Sequence, residues 1–139
     1  MAVIRTPAKA LQAATKSLID KLGVKVGQRV ACMGHVDEAL MAELARAQAQ
    51  IATVLRGGPF DWIFLAVEKV ADLARLGRAG AAIKPNGGVW VVFPKGLPDL
   101  KAEHLISAGK SCGLVDNKIA RVSDRLTAMK FVVPLSRRK

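Results

Sequence analysis

The sequence predicts an α/β protein: a three-layer sandwich on a mostly parallel sheet of about five to six strands, with an antiparallel C-terminal strand. Three observations carry this. From residue 29 to residue 112, strand-length apolar runs alternate with stretches of helical period, the pattern of parallel strands joined by right-handed crossovers. The run Phe60–Val67 (FDWIFLAV) is strongly apolar, as suits a central strand covered on both faces. Val115–Val122 and Met129–Pro134 follow one another with no helix between them, which suits an antiparallel pair. Helices on both faces of such a sheet make the arrangement Rossmann-like.

Each element has its own signals. Thr6-Pro7 reads as an N-cap and a first helical position, and Leu11, Ala14, Leu18 and Leu22 continue as an apolar stripe to a stop at Gly23. This N-terminal helix, within residues 1–23, should pack on the core. Arg29–Met33 is a short buried strand closed by Gly34. A second helix starts at Val36, with Leu40, Leu44, Ala47 and Ile51 on its face and Asp37 and Glu38 in its first turn, where acids complement the helix dipole. After Phe60–Val67 comes a third helix facing inward through Val70, Leu73, Ala74, Gly77 and Ala81. Lys84–Gly88 reads as a break before the strand Val89–Phe93. Lys101–Cys112 is a fourth helix ended by Gly113, and residues 135–139 form a basic tail.

One segment resists this scheme. Ala52–Leu55 looks like a strand, yet only four residues separate it from Phe60, and a parallel crossover needs about a dozen. It must be a stub at the sheet edge or an irregular climb from the second helix. Arg29–Met33 would then lie near an edge that needs cover, from the N-terminal helix or from a second copy in a homodimer.

Composition bounds the function. The 139 residues suffice for one domain with one core, and at 51% hydrophobic the chain is not disordered. Its apolar runs stay far below the ~18 residues that span a bilayer, so no membrane partner is expected. The N-terminus lacks a secretory h-region; it slightly resembles an organelle transit peptide, but a docked helix suits it better, and the expected location is cytoplasmic. Cys32 and Cys112 lack metal-like spacing and read as a reduced, buried pair. The net charge of +11 is concentrated at the two ends, with nine basic against three acidic residues in Leu100–Lys139. That suits an anionic partner or a solubilising surface equally.

With these residues in hand, the chain resembles the class I S-adenosylmethionine-dependent methyltransferases over residues 24 to 134. Lys25-Val26-Gly27-Gln28-Arg29-Val30 is similar to that family's lead into its first strand, and Phe60–Leu65 (FDWIFL) to its fourth strand. Ile83–Val91 (IKPNGGVWV) is similar to the turn into the fifth. Ser17–Gly23, Trp90–Lys95, Gly113–Lys118 and Lys130–Val132 also resemble a family of small, uncharacterised bacterial proteins, grouped as a domain of unknown function and built on a shortened version of the same fold. That second resemblance implies a fold and no activity.

The departures concern the cofactor. The family places a glycine-rich loop after its first strand, and this chain has the single Gly34 in Cys32–Val36 (CMGHV). The family also ends its second strand in an acid that binds ribose hydroxyls, whereas Val54–Gly58 (VLRGG) has no carboxylate. The sequence-based expectation is therefore a degenerate, non-catalytic methyltransferase-like module for small-ligand binding or protein association, with no cofactor. The alternatives are a methyltransferase with an atypical S-adenosylmethionine loop, or a basic nucleic-acid-associated protein. The candidate crevice comprises Gly34, His35, Glu68, Pro94 and Lys95, each placed where an open α/β sheet holds ligands, at the carboxyl ends of its strands. For each there is a plainer role: a cap or surface histidine, a first-turn carboxylate, a solvated lysine. His104 reads as structural, Trp62 and Trp90 as packing residues. No catalytic triad, phosphate-binding loop or zinc spacing is present.

Overall fold

The computed structural model describes residues 18–56 and 58–134. Helix α1 (Leu18–Leu22) ends at Gly23, whose φ of +80° makes the left-handed stop that glycine favours. Strand β1 (Arg29–Met33) follows, then α2 (Glu38–Arg46), β2 (Gln50–Ala52) and β3 (Phe60–Ala66). A 3-10 helix (Val70–Arg75) runs into α3 (Leu76–Ala81). Strand β4 (Ile83–Pro94), α4 (Ala102–Ser111), β5 (Val115–Arg121) and β6 (Leu126–Val132) complete the chain. The six strands form one sheet in the order β2-β1-β3-β4-β6-β5, and β6 alone runs antiparallel, against both β4 and β5. The α/β sandwich expected from the sequence is the observed fold.

Alternation along the strands builds a core on each face. Ile63 and Leu65 point to the side of Leu73, Leu76, Ala79 and Leu105, while Phe64 points to the side of Ile19, Leu22, Leu40 and Leu44. Trp90 joins the second cluster, and its indole N–H donates to the carbonyl of Leu22 at 2.9 Å. Trp62 is half-buried beside it, donating to Gln28 Oε1 at 3.0 Å. Cys32 and Cys112 belong to opposite faces and are both free. Only Cys32 is buried, so the expected buried pair is corrected to one buried and one half-buried thiol.

Several boundaries differ from the sequence reading for physical reasons. The second helix starts at Glu38 rather than Val36, because Asp37 is its N-cap and accepts from Leu40 N at 3.2 Å. It stops at Arg46, and Ile51 belongs to the next strand. That strand is Gln50–Ala52, not Ala52–Leu55, and it pairs in parallel with β1 in the register Arg29↔Gln50. The crossover constraint is satisfied because β2 and β3 lie on opposite sides of β1 and never pair. Arg29–Met33 is thus flanked on both sides, and the edge passes to a three-residue strand, a length that discourages further pairing.

The third helix is 3-10 in its first half and buries Leu73, Leu76 and Ala79. Of the residues expected to face inward only Leu73 does, whereas Val70, Ala74, Gly77 and Ala81 are exposed because the tighter 3-10 turn rotates the buried face. Lys84–Gly88 does not break the chain but opens β4. Lys84 Nζ pairs with Asp61 Oδ1 at 3.0 Å, and at Gly87 an added Cβ would come within 2.6 Å of Asp61 O. The glycine lets two backbones meet there. Residues 1–17 of the expected N-terminal helix and the basic tail lie outside the described residues. No described helix is long and apolar enough to cross a membrane.

Candidate functional site

The carboxyl ends of β1, β3 and β4 line up along one rim of the sheet, and four of the five candidate residues meet there directly. Gly34 leaves β1 at φ +80°, a conformation that turns the chain sharply toward α2. A Cβ at this position would lie 3.1 Å from Ala66 O and 3.5 Å from Arg75 Nη1. The missing side chain therefore leaves backbone open beside the end of β3. His35 follows, exposed, just ahead of the Asp37 cap. Glu68, also exposed, lies beyond the end of β3. It is not in the first turn of a helix as expected; its backbone N–H donates to Asp72 Oδ2 at 2.9 Å.

The resulting crevice is open rather than plugged. One bay of about 290 Å³ is lined by His35, Asp37, Glu38, Glu68, Val92 and Pro94. It merges through His35 and Glu68 with a bay of about 350 Å³ that adds Gly34, Lys69, Asp72 and Arg75. Lys95 borders a neighbouring hollow of about 530 Å³ with Pro94, Ser123, Arg125 and Leu126. At the opposite end, Gly34, Thr53, Leu55, Arg75 and Arg78 enclose about 250 Å³.

Thr53, Asp72, Arg75 and Arg78 had no sequence signal that set them apart. The arginines and Asp72 come from the 3-10 helix and α3, and only the packing of that segment against β3 brings them to the rim. Asp72 accepts from the N–H groups of Glu68 and Lys69. These bonds, led by that of Glu68, hold its carboxyl below the usual value despite some opposing burial. It is thus a loop-fixing group more than a free one. His104, by contrast, is structural as expected: its Nδ1 accepts from Lys101 N at 2.9 Å at the start of α4. Among the described residues no cluster of His, Cys, Asp and Glu has the geometry to hold a metal.

No family model matches the sequence, and no curated protein matches it. Solved structures do. A protein from Thermoplasma acidophilum described as a putative methyltransferase aligns with TM-score 0.63 at 7% identity, over 82% of this chain and 71% of that one. An S-adenosylmethionine-dependent methyltransferase from Aquifex aeolicus aligns with TM-score 0.58 at 14% identity, over 94% of this chain and all of that one. An O-methyltransferase of neocarzinostatin biosynthesis, in complex with S-adenosylmethionine, aligns with TM-score 0.60 at 13% identity over 77% of this chain. The chain spans about half of that enzyme, 49% of its length. The fold is that of the class I methyltransferases.

This finding corrects the expectation of no cofactor. The neocarzinostatin enzyme, which shares this fold over part of its length, was solved in complex with S-adenosylmethionine in one structure and S-adenosylhomocysteine in another, so the fold is one found in cofactor-bound proteins. The expected non-catalytic module finds no support among these neighbours, which are described as methyltransferases.

Proposed function

We propose that this chain is an S-adenosylmethionine-dependent methyltransferase domain with an atypical cofactor crevice. The observation that supports it best is the open rim crevice at Gly34, on a sheet of the methyltransferase order, at the position where an open α/β sheet takes its ligand. The residues present fit the amino-acid half of the cofactor. Gly34 offers backbone that a Cβ would obstruct, while His35, Glu68 and Arg75 offer polar partners around it. The ribose half has no carboxylate at the end of β2, where Thr53 supplies a hydroxyl instead. When bound, the cofactor supplies an electrophilic methyl group.

The chain's own residues would grip and shield. Gly34 admits the ligand, Glu68 and His35 line its flank, and Ala66 and Val92 keep that flank partly dry. Pro94 and Lys95 border the hollow on the acceptor side, whose lining balances Lys95 and Arg125 against Asp37 and Asp124 and so suits a polar acceptor of either sign. Isothermal titration with S-adenosylmethionine and S-adenosylhomocysteine tests the proposal. Saturable 1:1 binding of both is expected, and no heat with either overturns it.

A further inference from the structure

The crevice carries charge unevenly. Asp37 and Glu38 on the α2 side and Glu68 just past β3 make one part acidic, while the 3-10 segment and α3 bring Lys69, Arg75 and Arg78, with Asp72 among them. On the acidic side Asp37 is engaged as the α2 cap, which leaves Glu38 and Glu68 exposed. On the basic side no described carboxylate lies within ion-pair distance of Arg75 or Arg78, and Asp72, the nearest acid to Arg75 along the helix, already serves two backbone N–H groups. Arg75 is the residue shared by the two bays that meet at Gly34, and its Nη1 reaches 3.5 Å from where a Cβ of Gly34 would be. Any ligand that approaches the open backbone of Gly34 meets that guanidinium.

A crevice with an exposed guanidinium that is in no ion pair, sensed by Asp72 only at longer range, and with an exposed carboxylate at Glu68 beside it matches a zwitterion, and an α-amino acid end is the small zwitterion the proposed cofactor carries. We infer that Arg75 is a specificity residue that binds the carboxylate of the ligand's amino-acid end, with the ammonium turned toward Glu68. The inference rests on the proposed function and deepens it. A guanidinium–carboxylate pair is directional and charge-assisted, so it discriminates against ligands that lack the carboxylate. Arg78, about one turn later, lines the bay with Thr53 and adds positive potential.

The experiment compares S-adenosylmethionine with 5′-methylthioadenosine, which keeps the nucleoside and thioether but has no amino-acid end. Both are titrated into the wild-type chain, Arg75→Ala and Arg75→Lys, with circular dichroism to verify folding, which an exposed side chain should not affect. In Arg75→Ala, affinity for S-adenosylmethionine should fall about ten- to a hundredfold, the size of a lost charge-assisted bond, while affinity for 5′-methylthioadenosine stays within about twofold. Arg75→Lys should recover part of the loss, since it restores the charge but not the fork. Equal weakening of both ligands, or no weakening of either, overturns the inference while the function stands. If the wild-type chain binds neither S-adenosylmethionine nor its demethylated product, the proposed function falls and this inference with it.

Discussion

The indole N–H of Trp90, at the centre of the sheet, donates to the carbonyl of Leu22, at the last turn of α1, across 68 residues of sequence. Trp90 is fully buried, so this bond fixes how the helix sits on the sheet and leaves no solvent to replace it. Trp90→Phe keeps an aromatic ring but strands the Leu22 carbonyl. A loss of about 1–3 kcal/mol is expected, read as a lower midpoint in urea unfolding.

Asp61 ties the starts of three strands together. It accepts from Arg29 N at 2.8 Å on β1 and pairs with Lys84 at 3.0 Å on β4. Burial pushes its carboxyl up, but the Arg29 N–H, the Lys84 bond and both positive charges outweigh this and hold it below the ordinary value. With the folded value lower than the unfolded one, the stabilisation is fully present above about pH 4 and is lost as pH falls through the folded value. Asp61→Asn should therefore lower stability at neutral pH and flatten the loss on acidification, measured by unfolding midpoints from pH 7 to pH 3.

Gly109 separates packing from backbone effects. A Cβ there would come within 2.4 Å of Cε1 of Phe131, a ring with no exposure and no room to retreat. Gly109→Ala should cost about 1–3 kcal/mol by overpacking, and Phe131→Leu in the same chain should recover part of it. Gly96 sits at φ +76° with nothing within 4 Å, so Gly96→Ala should cost about 1–2 kcal/mol through backbone strain alone. No neighbour substitution should rescue that variant.

What the sequence made legible follows from locality. Phe60–Ala66 is apolar enough to be a central strand wherever it is placed, and the absence of a helix after Gly113 could only mean neighbouring strands. Gly34, His35, Glu68, Pro94 and Lys95 could be placed on one rim because strand ends in a parallel sheet share a side. The misread pieces depended on partners distant in sequence. Gln50–Ala52 (QIA) is too brief to show a strand's period, and becomes a strand because β1 offers it a ladder. Gly87 and Gly88 read as a turn because two glycines usually are one, yet here they let β4 press against Asp61 and the ring of Trp62. Arg75 and Arg78 were indistinguishable from solvated helix charges until the packing of Leu73 and Leu76 turned their face to the rim.

The two thiols should behave differently. Burial pushes the Cys32 thiol up to about 11, so it stays protonated and enclosed, whereas Cys112 is half-buried on the other face of the sheet. Under native conditions a disulfide reagent should modify Cys112 first, and Cys112→Ser should abolish the fast phase. Because burial raises the folded value of Cys32 above that of an ordinary thiol, its contribution to stability holds at neutral pH and declines as pH rises toward about 11. Cys32→Ala should remove that alkaline slope.

Gly34 and Gly27 share the same φ of +80° and differ in surroundings, which makes them a matched pair for testing the crevice. Nothing lies within 4 Å of a Cβ placed on Gly27, so Gly27→Ala should carry only the left-handed strain, about 1–2 kcal/mol. Gly34→Ala carries the same strain, adds a close contact at 3.1 Å to Ala66 O, and places a methyl group in the path to the rim backbone. The two variants should therefore be similarly destabilised, with a modest further loss for Gly34→Ala. They should part in ligand binding. Gly27→Ala should titrate S-adenosylmethionine like the parent, whereas Gly34→Ala should weaken it by at least about tenfold, or 1.4 kcal/mol. Measuring both stability and affinity in each variant separates the roles. If Gly34→Ala binds as tightly as Gly27→Ala, the glycine serves only the turn between β1 and α2, and the ligand does not approach through its backbone.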